Sequence, residues 1–302
     1  MKRILRFSPV AVALLALALP AAAQQDFSKV EITTTKISDT LYMLQGAGGN
    51  IGLSVGEDAA FVIDDQYAPL TAKINAAIAK LTAKPVRFVL NTHWHFDHTG
   101  GNENYGKAGS LIVAHENVRK RMSSEQFIEF LRMNTKPSPR EALPVVTFVG
   151  AMSFHLNGDE IRAIHMPRAH TDGDTIVHFL RGNVVHMGDI YFNGFYPFID
   201  TSSGGTIEGV IAACDQVLGF VNDGTRIIPG HGPLSNKAEL KAYRDMLATI
   251  GGRIRKMIDE GRKLEEITAS GVSKDYDEKW GKGFIPANKF AEMVAMNLLK
   301  NR

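Results

Sequence analysis

The sequence predicts an α/β fold. Short apolar runs bounded by glycine or aspartate recur along the chain, and segments with apolar residues at helical spacing alternate with them. With 302 residues, 44% of them hydrophobic and 22% charged, there is enough chain for a sizeable core. No repeat, low-complexity stretch or linker interrupts the series, so residues 24–302 are expected to form one domain with a helical C-terminal segment.

The amino terminus stands apart. Met1 to Arg6 is short and basic, Val10 to Leu19 is apolar, and Pro20 leads into Ala21-Ala22-Ala23. This is the pattern of a secretory signal peptide, with cleavage expected after Ala23. The apolar run is shorter than the roughly 20 residues that span a membrane. The mature protein is therefore expected in the bacterial periplasm or secreted, without a stable membrane anchor. Removing Lys2, Arg3 and Arg6 turns the formal charge of +2 into 31 basic against 32 acidic residues. That balance excludes a general nucleic-acid-binding surface. A single cysteine excludes an intramolecular disulfide.

From Val30 to Asp65 the runs Leu41–Leu44, Ile51–Val55 and Ala59–Ile63 read as strands. Ile74, Ile78 and Leu81 place a helix over Leu70–Leu81, and Pro85–Leu90 is again strand-like. Ser110–Ala114 reads as a strand and Asn117–Met133 as a helix. Further strands are expected between Val145 and His186, including Ile161–Ile164, Thr175–Leu180 and Val184–His186. A helix over Ile207–Leu218, a strand at Arg226–Ile228 and a helix over Pro286–Leu299 follow. Ser235 is the expected N-cap of a helix through Ile250, with Gly251-Gly252 as an interruption. The proline-rich stretch Asn134–Pro144 is the expected lid or loop.

The chemistry concentrates in Thr92-His93-Trp94-His95-Phe96-Asp97-His98. Imidazoles suit zinc, and a carboxylate adds a hard anionic ligand. A strand end holds His93 and His95 on one side, because alternate residues share a face. The following turn presents Asp97 and His98 nearby, enough groups to serve two ions. Three further residues stand where apolar runs pass into loops: His170 in Pro167–Asp174, Asp189 after Val184–Gly188, and His231 in Ile228-Pro229-Gly230-His231-Gly232. His165 and His178 fall within expected strands, and His115, His155 and His186 carry no ligand signal. Cys214, at helical spacing among Val210, Ile211, Val217 and Leu218, reads as a buried structural thiol.

This series resembles the metallo-β-lactamase superfamily of zinc hydrolases. The motifs cover residues 93 to 231, and the strand–helix order extends the likeness from about Val30 to Ala248. The resemblance implies a four-layer αββα sandwich with its metals at one edge, between two similar halves. It implies that His93, His95 and His170 form one metal site, that Asp97, His98 and His231 form the other, and that Asp189 bridges them. It also implies two zinc ions that share a hydroxide at neutral pH, with Asp97 orienting it and no serine or cysteine nucleophile.

The expected activity is hydrolysis of a small-molecule ester, thioester, lactone or amide. A true β-lactamase is the alternative, although Asp189 stands where that branch carries cysteine or a non-ligand residue. A non-hydrolytic iron-binding redox protein is the second alternative, since the same ligands accept iron. Tyr191, Phe192, Phe195, Tyr196 and Phe198 follow Asp189 closely and read equally well as a pocket wall or as core.

Overall fold

The computed structural model describes residues 26–300. The expected signal segment, 1–23, lies outside them. The first half of the chain supplies β1 (Thr33–Lys36), β2 (Leu41–Gln45), β3 (Ile51–Ser54), β4 (Ala60–Ile63), β5 (Val86–Leu90) and β6 (Leu111–His115). A hairpin of β7 (Gln126–Ile128) and β8 (Met133–Thr135) follows, then β9 (Val146–Phe148). The second half supplies β10 (Ala151–Leu156), β11 (Asp159–His165), β12 (Thr175–Phe179), β13 (Val184–His186), β14 (Arg226–Ile228) and β15 (Ser235–Asn236). One sheet has seven strands in the order β1-β2-β3-β4-β5-β6-β9, the other six in the order β10 through β15.

Helices cover both outer faces: α1 (Thr71–Ala79), α2 (Phe96–Thr99), α3 (Asn102–Lys107) and α4 (Glu116–Met122) from the first half, then α5 (Ile207–Phe220), α6 (Lys237–Asp259), α7 (Leu264–Ala269), α8 (Asp277–Trp280) and α9 (Ala287–Lys300). The two-residue period of the strands sorts their side chains between layers. In β4, Phe61 and Ile63 face the other sheet, whereas Ala60 and Val62 pack with Leu70, Ile74 and Ile78 beneath α1. In β14, Ile228 joins the layer between the sheets and Ile227 joins the core under α5, α6 and α9. The result is the four-layer αββα sandwich. No described helix is long and apolar enough to cross a membrane.

Three expectations need correction. The helix expected over Asn117–Met133 stops at Met122, and the Ser123 and Ser124 hydroxyls donate back to the Arg119 and Lys120 carbonyls. The apolar residues beyond it belong to the β7–β8 hairpin. The Asn134–Pro144 stretch is a loop only in part: Asn134 and Thr135 complete β8, and Arg140–Ala142 is a short turn anchored by the Asn102 amide donating to the Ala142 carbonyl. Finally, α6 runs straight through Gly251-Gly252, and Asn236 rather than Ser235 caps it by accepting from the Glu239 N–H at 3.0 Å. Ser235 is engaged instead with Tyr191 and Glu239.

Helix α6 tolerates its glycines because Tyr243, Leu247, Ile250, Ile254 and Ile258 bury one continuous face on both sides of them. A Cβ at Gly251 would meet Ile207 Cδ1 at 3.2 Å, so that glycine allows close packing against α5. A Cβ at Gly252 would meet nothing within 4 Å. Gly252→Ala should therefore stabilise the fold by about 0.5–1 kcal/mol, through the lost backbone freedom of the unfolded chain. Urea denaturation checks this; a midpoint at or below that of the parent rejects it.

Candidate metal centre

The parallel pairs β4/β5 and β13/β14 both run toward one edge of the sandwich. Open α/β sheets place their sites outside such strand ends. Strand β5 ends at Leu90, three residues before His93, so His93 and His95 meet through a turn and not on a shared strand face. The turn is set by Asp64 at the end of β4, whose carboxylate accepts from the Thr92 N–H and from the Thr92 hydroxyl, both at 2.7 Å. The single turn of α2 carries Asp97 and His98. His170 comes from the β11–β12 loop, Asp189 follows β13, and His231 follows β14.

All seven expected residues come together. His93, His95, His170 and Asp189 form one group able to hold a metal ion, and Asp97, His98 and His231 form another, with ligand atoms within 4.8 Å of one another in each. In the first, His95 Nδ1 lies 3.1 Å from His93 Nε2 and 2.9 Å from His170 Nε2. Asp189 Oδ2 faces His93 and His170 at 3.8 and 3.7 Å. Asp189 Oδ1 faces His98 and His231 at 3.0 and 3.4 Å, and Asp97 Oδ2 stands 3.4 Å from His231 Nε2. Asp189 thus lies between the two groups. A Cβ at Gly230 would overlap Asp189 Oδ1, and one at Gly49 would overlap the His98 ring, so glycine is needed at both.

The residues fit a cation. The Thr92 hydroxyl spends its proton on Asp64 and so accepts from His93 Nδ1 at 3.0 Å. His170 Nδ1 donates to the Phe198 carbonyl at 2.8 Å. His95 Nε2 donates to Asp200 at 3.0 Å, and His98 Nδ1 to Asp64 at 2.7 Å. Burial holds His93 far below the usual imidazole range and His170 at about 4, so both stay neutral. Their Nε2 lone pairs then converge with Nδ1 of His95, an arrangement that a shared cation would satisfy. Buried Asp189 Oδ1 likewise lacks a well-aligned hydrogen bond.

The second group draws positive charge more directly. Burial alone would lower His98 and His231, but the Asp189 and Asp97 carboxylates raise both, His231 to about 9. Burial would raise Asp97, yet the charge of His98 and the contact with His231 bring it down to about 2. Asp189 is lowered for the same reason.

Two carboxylates behind the ligands escaped sequence reasoning. Asp64 was visible only as the residue closing the run Ala59–Ile63. Asp200 gave no signal, because its partner His95 lies 105 residues away. Of the aromatics after Asp189, Phe192, Phe195, Tyr196 and Phe198 line a cavity of about 440 Å³ beside the centre, together with His95, Asp97, Asp189 and His231. Tyr191 belongs to the core. Ile128 and Leu131 of the β7–β8 hairpin also reach this cavity. Cys214 is buried in α5, and burial pushes its thiol up.

The profile of the metallo-beta-lactamase superfamily matches residues 45–266. The chain belongs to this superfamily. Among curated proteins it resembles the 2,4-dinitroanisole O-demethylase subunit alpha of Nocardioides sp. (strain JS1661), 26% identical over 46% of this chain. It spans only 40% of that subunit's length. It also resembles an acyl-coenzyme A thioesterase of Bos taurus, 20% identical over 63% of this chain and 72% of the relative. Among solved structures, a metallo-beta-lactamase from Pontibacter korlensis superposes with a TM-score of 0.59 at 19% identity, covering 72% of this chain and 99% of that one. The sec-alkylsulfatase Pisa1 from Pseudomonas sp. superposes with a TM-score of 0.64 at 18% identity, covering 88% of this chain and 50% of that one.

The superfamily chain should retain two metal ions after mild dialysis, read by elemental analysis; a value near one, unchanged by added zinc, rejects a dinuclear centre. Asp200→Asn keeps the side-chain shape but weakens the acceptor behind His95. It should lower metal affinity about 10- to 100-fold, as outer-shell substitutions do. Competition with a chelator measures this, and unchanged retention rejects the role given to Asp200.

Proposed function

We propose that this chain is an exported, dinuclear metal-dependent hydrolase of small, uncharged esters, thioesters or lactones. The observation that carries the reading is Asp189 between two ligand groups, opening onto a largely apolar cavity. Zinc is the proposed ion, because imidazole and carboxylate ligands without thiolate suit it; iron accepts the same set. A bound ion there would lower the pKa of water toward neutrality and polarise the bond to be cleaved.

The chain's own residues do the rest. Asp97, held ionised, borders the cavity and accepts a hydrogen bond from the attacking water, which orients it toward the substrate carbonyl. Asp189 fixes the spacing of the two groups. Phe192 stacks on His231 at 5.1 Å and Phe198 stacks on His95 at 5.8 Å, so two ligand rings are held by the cavity wall itself. The apolar wall excludes water from the bond being broken.

The cavity lining supports an order among the substrates. Among the described residues no lysine or arginine borders it. β-Lactam drugs and sulfate esters each carry an anion that seeks such a partner, whereas neutral esters, thioesters and lactones do not. The acyl-coenzyme A thioesterase relative supports the thioester bond but not the charge argument, since coenzyme A is itself a polyanion. Export rests on the basic, apolar and alanine-rich stretches of residues 1–23.

The test compares kcat/KM for a penicillin, a carbapenem, a thioester and a lactone on one metal-loaded preparation. The neutral substrates should lead. A β-lactam value above about 10⁴ M⁻¹s⁻¹, with the others well below, reverses the ordering. Asp97→Ala should lower turnover at least about 100-fold, within the range of general-base contributions. Near-normal turnover at full metal occupancy refutes its role. In a bacterial host the periplasmic product should begin near Gln24; an intact mass that retains Met1 on cytoplasmic protein overturns export.

A further inference from the structure

Part of the cavity wall lies outside the stretch that the superfamily profile matches. That stretch ends at residue 266, whereas Phe284 and Ile285 also line the cavity. They stand in the link between α8 and α9, Gly281-Lys282-Gly283-Phe284-Ile285-Pro286. Ile285 is buried, while Phe284 is 74% exposed although it borders the cavity. Its ring is therefore accessible from solvent at the border of the cavity.

The link is firmly placed. The Tyr196 N–H donates to the Trp280 carbonyl at 2.8 Å, and its hydroxyl donates to Asp277 at 2.8 Å. The Tyr196 ring stacks on Phe290 of α9 at 4.5 Å and 8°. A Cβ at Gly283 would lie 2.6 Å from Phe195 Cδ1, so backbone packs directly on a ring that lines the cavity. The Phe284 wall is thus held at a fixed place relative to Asp189 and His231.

We infer that the Gly281–Ile285 link sets substrate choice. Phe284, with Leu131 of the β7–β8 hairpin, receives an extended uncharged alkyl or aryl group on the part of the substrate away from the bond cleaved. The inference rests on the hydrolase reading above and names the substrate class for that site. The size of the cavity, about 440 Å³, suits such a group beside the scissile bond.

The test separates binding from turnover. 2-Butanone and 2-decanone are uncharged ketones that present a carbonyl but no bond to hydrolyse. Burial of each methylene is worth roughly fourfold in affinity, so decanone should bind at least about tenfold more tightly than butanone. Phe284→Ala and Leu131→Ser should each reduce that affinity ratio about fivefold or more. Phe284 is largely exposed, so its replacement leaves the core intact. In parallel, the ratio of kcat/KM for 4-nitrophenyl octanoate to that for the acetate should fall in both variants. No chain-length preference in the parent, or an unchanged ratio in both variants, overturns the inference. The expected ketone pattern with no turnover of ester, thioester or lactone overturns the hydrolase reading and supports only the part of this assignment that makes Phe284 and Leu131 an apolar binding surface. Ester turnover with no chain-length effect overturns this assignment alone.

Discussion

The Asp189 carboxylate, buried between two groups of imidazoles, is the constraint on which the rest of the structure turns. One oxygen faces His93 and His170 and the other faces His98 and His231. Burying a carboxylate is costly unless it is paired, and burying imidazoles whose lone pairs converge is costly unless a cation sits among them. The fold meets both demands at once. It opens β4/β5 and β13/β14 at the same edge, so four strand ends from both halves deliver their loops to one point. Glycine at 230 lets the β14 loop approach Asp189 at a distance no side chain would permit.

Orientation depends on a second ring of acceptors, and these cross the boundary between the sheets. Asp64 of the first half fixes both Thr92 and His98, while Asp200 of the second half fixes His95 of the first. His186, buried in β13, is a further tie: its Nε2–H donates to the Asn50 carbonyl at 3.0 Å, and the Asn50 amide donates to the Pro229 carbonyl at 2.9 Å. Burial keeps His186 below its ordinary range, in keeping with a neutral structural role and not with a ligand. The halves are therefore tied together by the His95–Asp200 bond, which also sets which His95 nitrogen faces inward, and by the His186–Asn50–Pro229 chain.

The seven residues that the fold brings together were legible because each is announced locally. His93 through His98 form one compact motif, and His170, Asp189 and His231 each follow an apolar run at the point where it ends. Their outer partners were not legible, because Asp64 and Asp200 act across 34 and 105 residues of chain. Helix α6 was misjudged at Gly251-Gly252 because propensity is a weak term beside a buried face. The segment Gln126–Thr135 was misjudged because short apolar runs fit helix and hairpin alike. The four-layer arrangement was available only through the likeness of the motifs, since strand–helix alternation alone specifies an α/β layer and no more.

The loop after Asp189 explains why the aromatic residues there read equally well as wall and as core. Both roles are filled, in turn. Tyr191 enters the core and bonds Ser235, Phe192 stacks on His231, and Tyr196 fastens the C-terminal helices. Phe198 offers its carbonyl to His170 and its ring to His95, and Asp200 ends the loop against His95. One stretch of ten residues, from Tyr191 to Asp200, thus touches ligands of both metal groups, the cavity and the segment beyond the superfamily match. The cavity wall and the candidate metal-binding residues share supports, so neither can shift without moving the other. That coupling ties the C-terminal helices to the candidate centre even though none of its seven residues lies on them.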